Sequence, residues 1–223
     1  MQVLAPGRKA PDVEHVLDGI SFINFNYDRC LEQFLIHGLH LLYGIPKEEA
    51  VGIVDKADII HPYGTVGALA RVPFGGNEEI RLDYAELGQG IKTYTERVEE
   101  EKTLDKIHQA INQADAIVFL GFAFHKQNME LLFKSLVRVR KTRYIFATAK
   151  GMSDADKSVV EDQLLELFPH LDDMNEDESE EPDEWISIPR MPVYAPTVTD
   201  HIRVENKLVC SELFEHYAKS LAG

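Results

Sequence analysis

Three places in the chain put residues capable of chemistry directly behind a short apolar run. Asn26 and Asp28 close the stretch Ile20-Ser21-Phe22-Ile23-Asn24-Phe25-Asn26-Tyr27-Asp28. His61 and Tyr63 close Ala57-Asp58-Ile59-Ile60-His61-Pro62-Tyr63-Gly64, and Ala116-Ile117-Val118-Phe119-Leu120 runs into Gly121-Phe122-Ala123-Phe124-His125. A short apolar run of this kind reads as a buried parallel strand, and open α/β sheets bind their ligands at the carboxyl ends of such strands. The amide, carboxylate, imidazole and phenol delivered there can hydrogen-bond a polar ligand. Gly121 lets a ligand approach the backbone, and the helix that follows offers free N–H groups to a phosphate or hydroxyl. Each pattern also has a plainer meaning. Asn26 and Asp28 turn the chain and cap a helix, His61 is a structural histidine, and Gly121 makes a tight turn with Phe122 and Phe124 plugging the core.

Alternating strands and helices must position these residues. Leu31, Phe34, Leu35, Leu39 and Leu42 recur at helical spacing, predicting a helix from about Asp28 to Tyr43 that Gly44 and Pro46 end. His37 and His40 lie three apart on it, but no third ligand of suitable spacing accompanies them, so no metal is expected. Arg71 to Gly90, with Gly75-Gly76-Asn77, reads as a loop, and Leu104, Ile107 and Ile111 mark the apolar face of a charged helix. Met129, Leu132 and Leu136 predict a helix after Gly121. Arg143 to Ala149 predicts a fourth strand, Asp154 to Phe168 a fourth helix, and Arg203 to Leu221 a closing helix. Strand-helix alternation of this kind predicts an α/β fold with a parallel sheet and right-handed crossovers.

The 223 residues, 44% of them hydrophobic, suffice for one domain with a sizeable core. A formal charge of −15 excludes nucleic acid and anionic membrane as main partners, since phosphates would be repelled. The dense cationic run of Arg138, Arg140, Lys141 and Arg143 reads as a solvated helix end. Cys30 and Cys210 are too few for a disulfide scaffold or a four-cysteine zinc module, which points to a reducing cytoplasm. Neither a signal peptide nor a membrane-spanning run is evident. From Asp172 to Glu184, nine of thirteen residues are acidic, which predicts a solvated connector or an acidic docking segment. The organisation expected is a domain over 1–171, this connector over 172–184, and an arm and helix over 185–223 packing on the same domain.

Taken together, Phe25-Asn26-Tyr27-Asp28 with Leu31-Glu32, His61-Pro62-Tyr63-Gly64-Thr65 and Phe119-Leu120-Gly121-Phe122-Ala123-Phe124-His125 resemble the sirtuin-like family. In that family an Asn-Ile/Tyr-Asp motif follows one strand, a His-Gly motif the next, and a glycine turn a later one. The resemblance covers about Ile20 to Ala149 and is closest to the divergent bacterial members, which include NAD hydrolases of antiphage defence. It implies a Rossmann-like, three-layer parallel sheet flanked by helices and NAD as substrate or ligand. It further implies Asn26 and His61 as catalytic residues, and Asp28, Tyr63, Gly64, Gly121, Phe122 and His125 around the cofactor. Asn26 would contact the nicotinamide ribose or position the attacking water, Asp28 would support the nicotinamide pocket, and Gly121 would approach the adenosine side.

The chain departs from the family in two ways. No glycine-rich turn of the kind that cradles a pyrophosphate precedes Ile20, so the resemblance implies either a member truncated or shortened at its amino terminus or one that has lost phosphate binding. Tyr63 occupies the position of the family's catalytic histidine, with His61 two residues before it. On a strand continuing through this stretch, side-chain alternation would put His61 and Tyr63 on one face. The absence of a zinc module ranks hydrolysis of NAD to nicotinamide and ADP-ribose above deacylation. The alternative is a non-catalytic module that binds a nucleotide or a protein partner, a second copy of the chain included. A third reading makes the chain a scaffold whose acidic connector docks a basic partner.

Overall fold

The first strand pair is set by two short runs that differ from the fully buried strands the sequence suggests. In a computed structural model, which describes residues 10–67, 69, 72, 74, 84–91, 101–133, 142–168 and 201–221, β1 (Ser21–Ile23) lies parallel to β2 (Asp58–Ile60). The register is Ser21↔Asp58, Phe22↔Ile59 and Ile23↔Ile60, and the Asn24 N–H adds one bond to the Ile60 carbonyl at 2.8 Å. Ser21 is exposed while Phe22 and Ile23 are only half buried. The apolar mass comes instead from a 3₁₀ turn (Ala10–His15) with the residues after it, and from helices α1 (Cys30–Tyr43) and α2 (Lys47–Val54). Val13, Val16, Leu17, Leu35, Ile36, Leu39, Ala50, Ile53 and Val54 form the buried cluster, and Phe22 and Ile59 pack against it.

Local chemistry fixes the ends of α1. The Asp28 carboxylate accepts the Cys30 N–H at 2.9 Å, satisfying one of the free donors at the helix start. Gly44 ends the helix in the left-handed conformation (φ 66°), returning its N–H to the His40 carbonyl. The His40 ring lies 2.6 Å from the Ile45 carbonyl, which gives this histidine a structural partner.

The chain divides into two compact units, residues 1–107 with 218–223, and residues 108–217. Helices α3 (Tyr84–Gln89) and α4 (Glu101–Gln113) follow β2 in sequence. The second unit holds a three-stranded parallel sheet in the order β3 (Ala116–Phe119), β4 (Tyr144–Thr148), β5 (Ile202–Glu205). Its registers are Ala116↔Tyr144 and Ile145↔Ile202. Ile145, Phe146 and Ala147 of the central strand are all buried, the near-continuous apolar pattern of a parallel strand covered by helices. Helix α5 (Lys126–Phe133) contributes Leu132 and Phe133 to the core, and α6 (Asp154–Leu167) contributes Val160 and Leu164. Ser153 caps α6 by accepting the Asp156 N–H at 3.1 Å.

The chain is therefore α/β, parallel strands flanked by helices, the class its strand-helix alternation predicts. The closing helix expected from Arg203 begins later: Arg203 lies inside β5, and the helices are α7 (Cys210–His216) and α8 (Ala218–Leu221). Ile202 and Val204 alternate into the core, and this two-residue apolar signal is what the longer helical pattern behind it masks. The connector 172–184, the loop glycines Gly75 and Gly76, and Arg138, Arg140 and Lys141 lie outside the described residues. Among the described residues no helix is long and apolar enough to cross a membrane.

Tyr217, just after α7, donates its hydroxyl to Glu205 at the end of β5. Burial, aided by that hydrogen bond, pushes the phenol up from 10 to about 12. The folded chain then holds this proton more tightly than the unfolded one, so the stability it contributes is whole below pH 10 and lost as the pH rises toward about 12. The urea midpoints of wild type and Tyr217→Phe are expected to differ below that window and to converge across it. A difference that stays constant to pH 12 contradicts the assignment.

Candidate functional site

The strongest polar cluster lies in the first unit, at the carboxyl ends of β1 and β2. The chain leaves β1 through a turn in which the Asn24 side chain accepts the Asn26 N–H at 3.1 Å. This leaves Asn26 exposed, and among the described residues its side-chain amide has no hydrogen-bond partner. Its main-chain carbonyl meets His61 Nδ1 at 2.9 Å. On the other side of the ring, His61 Nε2 lies 3.0 Å from Glu32 Oε1 on α1, the two side chains being 7% and 15% exposed. Both ring nitrogens thus face oxygens, one a main-chain carbonyl and the other a carboxylate.

Two atoms beside this array are buried without a partner among the described residues, Glu32 Oε2 and Arg29 Nε. Arg29 is 6% exposed at the start of α1 and donates through Nη1 to the Val72 carbonyl. Burial pushes its guanidinium down from the ordinary range while the charge of Glu32 opposes that shift. Asp28 engages the main chain of α1, and its hydrogen bond and charge raise the neighbouring Cys30 thiol.

The sequence places Asn26, Asp28, His61, Tyr63 and Gly64 around one site, and the first unit contains all five. Their disposition differs from a simple strand end. β2 stops at Ile60, and Pro62 and Tyr63 form a turn closed by the Gly64 N–H on the His61 carbonyl at 3.0 Å. His61 and Tyr63 therefore do not share a face by strand alternation. Tyr63 stands edge-on to Phe25 with centroids 5.9 Å apart, and burial raises its hydroxyl. Gly64 has a steric role of its own: its φ is +73°, and a Cβ there would sit 2.0 Å from the Gly90 carbonyl oxygen.

Gly121, Phe122 and His125 belong to the second unit. Gly121 adopts φ +60°, and an added Cβ would meet nothing within 4 Å. Its N–H is taken by Thr148 Oγ1 at 2.8 Å, a buried hydroxyl at the end of β4. Phe122 and Phe124 pack on Phe119 with centroids 5.3 Å away in each case, as core plugs would. His125 is exposed, and its carbonyl accepts the Met129 N–H in the first turn of α5.

The sequence assigns no role to Arg29, and Glu32 enters only beside Leu31 among the residues that carry the resemblance, although a further signal for Glu32 exists. Glu32 sits three and seven residues before Leu35 and Leu39, which makes it a carboxylate on an otherwise apolar helix face. Such a group must find a partner to be buried. Compared with protein-family models, with curated proteins and with solved structures, the chain matches none.

Proposed function

We propose that the chain is a sirtuin-like NAD-binding protein that hydrolyses NAD to nicotinamide and ADP-ribose, with Asn26 at the nicotinamide ribose. The observation that carries this reading is the exposed Asn26 amide in the turn after β1, unpartnered among the described residues, with its main-chain carbonyl held by the part-buried His61–Glu32 pair. Nicotinamide leaves NAD as a neutral molecule, so the reaction needs no strong general acid. It needs an oxocarbenium-like ribose stabilised and a water oriented, which suits an amide carried on a tied-down main chain with the Asp28 carboxylate two residues on in sequence. The two free thiols, Cys30 and Cys210, fit a reducing cytoplasm as the setting.

The occupied state of His61 favours a second reading, binding without turnover. With Nδ1 on Asn26 and Nε2 on Glu32, the ring has no lone pair turned toward a ligand, and the raised Tyr63 hydroxyl is a poor base at neutral pH. Release of nicotinamide from NAD by the purified chain separates the two. Hydrolysis is expected to fall about 10²-fold or more in Asn26→Ala, and equal turnover in that variant overturns the assignment of Asn26. A thermal shift with NAD or ADP-ribose and no released nicotinamide establishes the binding module, and silence in both assays removes NAD from the reading.

A further inference from the structure

We propose that Glu32 is a positioning residue for Asn26, acting through His61, so that the site at the end of β1 is aimed by a carboxylate on α1. The inference rests on the NAD reading only for what the site binds; the positioning itself rests on geometry. The chain of contacts is short, part-buried at its Glu32 end and exposed at its Asn26 end: Glu32 Oε1 to His61 Nε2 at 3.0 Å, His61 Nδ1 to the Asn26 carbonyl at 2.9 Å. Each link removes a freedom. Glu32 fixes the rotation of the imidazole, and the imidazole fixes the peptide plane between Asn26 and Tyr27. That plane, together with the Asn24 bond to the Asn26 N–H, sets the direction of the Asn26 side chain. Asn26 therefore has both of its main-chain polar groups tied while its amide is left to the solvent.

Glu32 also joins the site to the core of the first unit. It lies on the face of α1 that buries Leu35, Ile36 and Leu39, so its carboxylate is carried by a helix packed into the core cluster. A positioning group should stand on rigid structure of this kind, whereas Asn26 itself lies in a turn.

The test compares two variants of nearly equal volume in the isotopically labelled full chain. In Glu32→Gln a neutral His61 can still donate from Nδ1 to Asn26 while the glutamine amide donates to Nε2, so the linkage survives. In Glu32→Leu it is broken. The Asn26 side-chain and Tyr27 main-chain amide resonances are expected to stay near their wild-type positions in Glu32→Gln and to move in Glu32→Leu. The apparent Kd for NAD is expected to rise about tenfold in Glu32→Leu alone, the loss typical of one hydrogen bond to a charged group. Resonances unmoved in Glu32→Leu, or displaced alike in both variants, overturn the proposal, because the residue then acts by bulk or by charge. If Glu32→Leu does not fold, Glu32→Asp draws the carboxylate back by one methylene and is read in the same way: displaced resonances support the linkage and unmoved ones overturn it. Resonances that behave as expected in a wild-type chain that does not bind NAD uphold the positioning and refute the NAD reading.

Discussion

Gly64→Ala is expected to destabilise the first unit by about 3 kcal/mol, read as a lowered urea midpoint. Two terms combine. A residue with a Cβ held at positive φ costs roughly 1–2 kcal/mol, and overpacking a methyl against fixed structure costs roughly 1–3 kcal/mol more. The second term applies because the new Cβ would fall 2.0 Å from the Gly90 carbonyl oxygen, a main-chain atom that cannot rotate away, beside the single bridge from Gly64 to Ile91. Gly44 provides the matched control, since its φ is +66° and an added Cβ there meets nothing within 4 Å. Gly44→Ala should therefore show the first term alone, and a Gly64→Ala variant no less stable than Gly44→Ala would refute the steric account. The effect reaches the site as well, because the Gly64 N–H closes the turn that begins at His61.

His61→Ala is expected to cost about 3 kcal/mol or more, because it leaves the largely buried Glu32 carboxylate with neither oxygen paired among the described residues. Removing one member of a buried pair is far worse than replacing both by apolar groups, and that difference supplies the check. The double variant Glu32→Leu with His61→Leu should be more stable than the two single losses added together, by a coupling above about 1 kcal/mol. Additive losses would mean that the two side chains do not interact. A His61→Ala loss well under 1 kcal/mol would mean that solvent reaches Glu32 in the folded chain.

The four strands that sequence reading places all form, because apolar runs bounded by glycine, proline or acidic residues carry a local signal. β5 was not legible for the opposite reason: its inward residues are only Ile202 and Val204, and the helical spacing of Leu208, Leu213 and Phe214 dominates the stretch. At the site, the turn-forming role expected of the polar residues after Phe22 is real but divided. Asn24 makes the turn and Asp28 caps α1, which leaves Asn26 free of either task. Residue type could not assign three closely spaced Asn and Asp side chains to these separate jobs. The His61 linkage was out of reach for a different reason, since its partners lie 35 and 29 residues away in sequence and meet only once β1, β2 and α1 are assembled.

The sheet order of the second unit bears on how the chain can be cut. β4 is the central strand, and among the described residues the edge it does not share with β3 is covered by β5, which joins it across roughly twice the sequence separation that links β3 to β4. By loop-closure entropy the longer span adds only ~0.6 kcal/mol per doubling, so the pairing is readily maintained once made. A chain ending before Ile202 would nevertheless leave Ile145, Phe146 and Ala147 on a bare strand edge, with the main-chain groups now paired to His201 and Glu205 open to another molecule. Such an edge templates intermolecular strand pairing, and the few residues of β5 thereby guard the second unit against aggregation.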